Sequence, residues 1–129
     1  MTSIQPELWV RGPREALAFY EAAFGASVVH QVGEGDDIVA QLAIDDATFW
    51  IAPTSSEMKR LDPIGIDGAT GRMLLVVDDP DEVQRRAVAA GATETSPVAH
   101  DHGWRVGRVT DPFGHEWEIG TPVAAWPPP

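Results

Sequence analysis

Glu116 and Glu118 are the side chains in this chain best placed to do chemistry. They fall within GRVTDPFGHEWEIGTP, residues 107–122. That stretch reads as a strand over 105–110, a turn Asp111-Pro112-Phe113-Gly114, and a second strand over 115–119. Proline at the second turn position sets φ near −65°, and glycine at the fourth lets the chain reverse. Along the second strand His115, Trp117 and Ile119 share one face, while Glu116 and Glu118 share the other. The apolar face belongs to a core. Two carboxylates on an inward sheet face are costly unless something pairs with them, so the rest of the chain is read for that partner.

The elements that must position them occur twice. Residues 4–10 read as a strand, with Leu8 and Val10 on one face and Gln5, Glu7 and Trp9 on the other. Pro6 marks an edge or irregular start. Gly12-Pro13 opens a helix that runs to about Phe24, with Leu17, Tyr20 and Phe24 as its apolar stripe and Gly25 as its stop. Strands follow over 28–32, 38–44 and 47–52. In the last of these Trp50 lies on the face opposite Phe49 and Ile51. Residues 53–71 have no clean period and are expected to be a linker with partial cover of a site. The plan then repeats. A strand spans 72–77, and a helix starts at Asp79-Pro80 with Glu82 completing a capping box and Gly91 ending it. A strand over 93–98, a loop over 99–103 and the hairpin holding the two glutamates complete the second unit. The expected fold is α+β, one domain of two tandem βαβββ modules. Module 1 covers about 4–52, module 2 about 72–120, and a proline-rich tail 121–129. A single module cannot bury itself, so the two are expected to form a mostly antiparallel cupped sheet with helices outside.

By strand parity the face opposite the core collects Gln5, Glu7, Trp9, Trp50, Arg72, Leu74, Glu116 and Glu118, and Trp104 and Arg108 share a face that could join them. Aromatic platforms, carboxylates and arginine suit a planar or cationic organic ligand. Arg72 is the expected partner of Glu118. His100, Asp101 and His102 form a His-x-His half-site in type, but sit among turn residues where exposed histidines are ordinary; His115 reads as a core-side, hydrogen-bonded residue.

Nine basic against 20 acidic residues give a net charge of −11, which repels phosphate backbones and attracts cations. Nucleic acid is therefore not an expected partner. Cysteine is absent, which excludes disulfides and thiolate chemistry. No apolar run approaches the ~20 residues that span a bilayer, and residues 1–12 carry Glu7 and Arg11 where an export leader would be apolar. No membrane partner and a cytoplasmic location are the expectation.

The repeated plan and the closing DPFGHEWEI resemble the vicinal oxygen chelate superfamily of glyoxalase I, bleomycin-resistance proteins and extradiol dioxygenases. EALAFYEAAFGA and GRVTDPFGHEWEI are similar to its small PhnB-like members. The resemblance implies a metal bound by four side chains in the superfamily's enzymes, and those positions fall here on Gln5, Trp50, Arg72 and Glu118. Tryptophan is no ligand and arginine stays cationic, so no metal or other cofactor is expected. If a divalent ion (nickel, zinc, manganese or iron) binds, Gln5 and Glu118 would hold it. The resemblance thus implies a homodimer that binds a small organic ligand, a cationic aromatic one best matching the charge. Its alternatives are a metal-dependent lyase, isomerase or dioxygenase, and a metal-free enzyme with Glu118 or Glu116 as base and Arg72 as oxyanion holder.

Overall fold

Each module begins with a strand that turns at a proline into a helix, because proline needs no amide partner in the first helical turn. The computed structural model describes all 129 residues. Module 1 contains β1 (Glu7–Val10), α1 (Pro13–Phe24), β2 (Ser27–Val32), β3 (Val39–Ile44) and β4 (Ala47–Pro53). A connection carrying the short helix α2 (Pro63–Ile66) leads to module 2: β5 (Met73–Val76), α3 (Pro80–Ala90), β6 (Thr93–Asp101), β7 (Trp104–Thr110) and β8 (Glu116–Pro122). The two sheets have corresponding orders, β1-β4-β3-β2 and β5-β8-β7-β6. In each, the first strand pairs parallel with the last and the other pairs are antiparallel. The chain is α+β with two tandem modules, but its strands form two separate four-stranded sheets whose helix-bearing faces turn toward each other, rather than one cupped sheet with the helices outside.

The helix-bearing faces of both sheets meet in one core. Leu8, Val10, Leu42, Phe49 and Ile51 come from the first sheet, and Leu75, Val109, Trp117 and Ile119 from the second. Between them α1 inserts Phe19, Tyr20 and Phe24. The Trp117 ring lies 4.9 Å from that of Phe24, 5.6 Å from Phe49 and 5.7 Å from Tyr20, so β8 of one module packs on α1 and β4 of the other. Inside this aromatic cluster sits a carboxylate. Asp111, 4% exposed, accepts from the Tyr20 hydroxyl and, at 2.9 Å, from the Trp117 indole. Its other oxygen accepts from the Phe113 and His115 amides at 2.9 and 3.0 Å. Burial, and then the charge of Asp111, push the Tyr20 phenol well above its ordinary pKa, so it remains a neutral donor.

Several expectations need correction. Strand β6 runs to Asp101, so the expected loop over 99–103 is only a tight hairpin tip in which His102 and Gly103 both take positive φ, 50° and 81°. This is the backbone of a type I′ turn. Strand β8 runs to Pro122, two residues into the expected tail. Strand β1 starts at Glu7, leaving Gln5 just ahead of it, and Arg72 likewise precedes β5. The Asp79 side chain caps α3 at the Glu82 amide, but Glu82 completes no capping box; its carboxylate turns to Arg85 at 2.7 Å. The 53–71 connection is built rather than loose. Buried Asp62 caps α2 at Gly65 and grips Arg11 through two hydrogen bonds of 2.6 and 2.9 Å. Pro63 and Ile64 press so closely on the Asp111–Gly114 turn that a Cβ on Gly114 would lie 3.0 Å from each. No helix is long and apolar enough to cross a membrane.

Two predictions follow from these buried carboxylates. Asp111→Ala orphans four donors in the core and is expected to cost about 3–5 kcal/mol in urea unfolding, against about 1–3 for Tyr20→Phe. The Asp62 carboxyl is held below its ordinary pKa by its hydrogen bonds to Arg11, against the opposing effect of burial. A depressed folded-state pKa stabilises the fold above the unfolded value and is lost as pH falls through the folded one. Asp62→Asn is therefore expected to lower the melting temperature at pH 7, with the gap to wild type closing as the pH drops below about 4.

Candidate functional site

Turning both helix faces inward leaves the other face of each sheet open, and the polar residues read from parity stand on those two faces. On the second sheet Glu118 occupies the middle of β8, with Leu74 of β5 and Arg108 of β7 as its register partners. One Glu118 oxygen lies 3.2 Å from the Arg72 guanidinium and the other 3.2 Å from that of Arg108. The carboxylate side chain is 20% exposed, the two arginines 39% and 46%. Arg72 is thus found with Glu118, as its position seven residues before Asp79 implied, and Arg108 joins them from the hairpin strand. Leu74 beside them is half exposed. Glu116 lies on the same face, exposed, with Thr110 as its register partner.

On the first sheet Glu7, Trp50 and Gln41 are in register across β1, β4 and β3. The Gln5 side-chain oxygen accepts from the Trp50 indole at 2.8 Å and from Gln41 at 2.9 Å. The Gln5 amide nitrogen donates to Ser3. His30 of β2 completes the row, its ring edge-on to Trp50 at 6.3 Å. Trp9, farther along β1, carries the Arg60 guanidinium 5.0 Å above its ring, so the connection folds back over this end of the sheet. Sequence parity missed Gln41 and His30. Gln41 was legible, since it stands opposite Trp50 in an alternating strand. His30 was not, because a bulge between Val28 and His30 breaks the period of β2.

These residues form two groups. Gln5, Gln41, Trp50 and His30 hold together on module 1, and Arg72, Arg108 and Glu118 on module 2; no hydrogen bond or ion pair joins them. Trp104, on the Arg108 face, meets a different neighbour: the tail residue Trp126 packs edge-on against it at 5.4 Å. The histidines lie elsewhere. His100 sits in β6 opposite Arg105, and His102 lies 3.2 Å from Asp101 at the exposed hairpin tip. His115 is on the core side, its Nε2 2.8 Å from the Trp9 carbonyl oxygen. A carbonyl only accepts, so that nitrogen carries the hydrogen.

A divalent metal does not fit the four positions that the resemblance implies. Two of the side chains, Trp50 and Arg72, are a nonligand and a cation. The oxygen of Gln5 is taken by an indole N–H and an amide, and both oxygens of Glu118 face guanidinium groups. Nor do three His, Asp or Glu side chains converge elsewhere. What the second sheet can offer a ligand is a carboxylate flanked by two cations beside an exposed leucine. The first offers an indole, an imidazole and amides.

Comparison with known proteins agrees with this architecture. The chain is 34% identical over 128 residues to an uncharacterized protein of Mycobacterium bovis, covering 94% of this chain and 84% of the relative. Among solved structures, TioX from Micromonospora sp. ML1 superposes with a TM-score of 0.73 at 24% identity, over 94% of this chain and 98% of that one. A bleomycin-binding protein complexed with bleomycin gives a TM-score of 0.67 at 21% identity, with the same coverage. At such identities these structures speak for the fold. The family model of the glyoxalase/bleomycin resistance protein/dioxygenase superfamily matches residues 3–119, and the chain belongs to that superfamily.

Proposed function

We propose that the protein binds a small organic ligand, a cationic aromatic one by preference, on the polar sheet faces and without a metal. The observation that carries the metal-free part of this reading is the Arg72–Glu118–Arg108 cluster. In it, fixed guanidinium charge stands where a catalytic ion would need ligands, and Glu118 already has both oxygens engaged. A carboxylate so engaged is also poorly placed as the base of a metal-free enzyme. Trp50 beside His30 gives an aromatic surface, and a net charge of −11 favours cationic ligands. The bleomycin-binding relative binds bleomycin on the same fold, which supports a binding role. Within the superfamily, the fragments EALAFYEAAFGA and GRVTDPFGHEWEI support a place among the small PhnB-like members.

We infer further that the protein is a homodimer, with each ligand site formed where the first-sheet face of one copy meets the second-sheet face of the other. Within one chain the two polar groups do not join. Val28, Val29 and Val32 on one sheet and Leu74 and Val76 on the other are 47–57% exposed, apolar surface that a second copy would cover.

Sedimentation velocity at micromolar concentration is expected to give a dimer, and tryptophan fluorescence is expected to be quenched saturably by a cationic aromatic compound such as ethidium. Trp50→Phe should weaken that quenching. A monomer that quenches normally would refute the shared site, and a dimer with no saturable quenching would refute the ligand class.

A further inference from the structure

The outward face of the second sheet is ordered along its length. Strands β7 and β8 pair without a bulge, so their side chains fall in rows across the sheet. One row holds Leu74, Glu118 and Arg108, and the next holds Val76, Gly120 and Val106, with no charge in it. Beyond that stands Trp104, with Trp126 of the tail packed on it at 5.4 Å. The face therefore has a charged end, an apolar middle and an aromatic end. From Arg108 to Trp104 the extended strand spans about 13 Å. The middle is low: Gly120 has no side chain, and Val106 lies over it, so close that a Cβ on the glycine would meet the valine methyl at 3.0 Å.

At the charged end the guanidinium groups are only partly used. Arg72 and Arg108 each approach Glu118 through Nε at 3.2 Å, each onto a different oxygen. Their four terminal nitrogens make no hydrogen bond within the chain, and the side chains are substantially exposed. Two guanidinium groups against one carboxylate leave one positive charge. Glu116, the other acid at this end, pairs with neither arginine, and Asp101, at the aromatic end, lies against His102. A guanidinium engaged at Nε keeps its terminal N–H groups as donors for a second oxyanion. A ligand carboxylate has the dimensions of the Glu118 carboxylate, so it spans the same gap from the solvent side.

We propose that this face binds an aromatic carboxylic acid, its carboxylate held between Arg72 and Arg108 and its rings laid over Val76, Gly120 and Val106 toward the Trp104–Trp126 pair. The inference rests on the reading above in taking the outward faces as ligand sites, and it deepens that reading. A ligand that meets both halves of the shared site brings its cation to Trp50 and an acid to the arginines.

Isothermal titration calorimetry at neutral pH with biphenyl-4-carboxylate, and with the neutral biphenyl-4-carboxamide, tests the assignment. The acid is expected to bind saturably at one per chain and the amide roughly tenfold or more weaker. In Arg108→Gln the preference for the acid should largely vanish, while the urea unfolding curve stays close to that of wild type. Trp126→Ala should weaken acid and amide alike and leave their ratio unchanged. Absence of saturable binding at millimolar acid, an amide that binds as well as the acid, or an undiminished preference in Arg108→Gln would overturn the inference. Saturable ethidium quenching without acid binding would refute this inference and leave the proposed function standing. Acid binding without ethidium quenching would support the arginine site and refute the cationic ligand class.

Discussion

A buried carboxylate with four donors around it decides how the two modules of this protein sit. Asp111 lies within an aromatic cluster where an unpaired charge would be ruinous, and its partners come from both halves of the chain. The turn amides and the Trp117 indole come from its own module; the Tyr20 hydroxyl comes from the helix of the other. Satisfying that charge therefore requires α1 to lie against the β7–β8 turn. Once it does, Trp117 must sit among Tyr20, Phe24 and Phe49. The His115 ring adds a second tie across the seam, to the Trp9 carbonyl.

What this arrangement does to the chemistry is to separate it. With both helix faces committed to a common core, the opposite faces point away from it, carrying an indole-imidazole-amide group on one sheet and an arginine-carboxylate-arginine group on the other. Each group satisfies itself by local hydrogen bonds and ion pairs. Neither offers the open set of anionic or imidazole donors that a divalent ion requires. The superfamily uses one scaffold for metal enzymes and for binding proteins, so the scaffold leaves the choice open and the side chains at these positions make it.

Much of this was legible in the sequence, for identifiable reasons. The β8 alternation gave the Trp117–Ile119 core face and the Glu118 polar face, because a strand interior without bulges keeps its period of two. Arg72 paired with Glu118 because the repeat of the two modules fixed its position. Other features escaped. His30 was hidden by a bulge, and the 99–103 stretch looked like a loop because glycine and histidine at a hairpin tip resemble any turn. Asp111 read only as a turn residue: its side chain's partner Tyr20 lies 91 positions away, and no local pattern announces a contact between modules. The connection over 53–71 has no period because it is held by single anchors, such as Asp62 on Arg11, rather than by a repeating face.

We propose that the Arg72 guanidinium, paired with Glu118, stands where a metal would otherwise bind. Elemental analysis of protein purified without added metal or chelator, followed by titration with nickel, zinc, manganese and iron(II), tests it most directly. The account predicts metal far below one ion per chain and no saturable uptake of any of the four. One ion per chain, lost in Glu118→Ala, would contradict it.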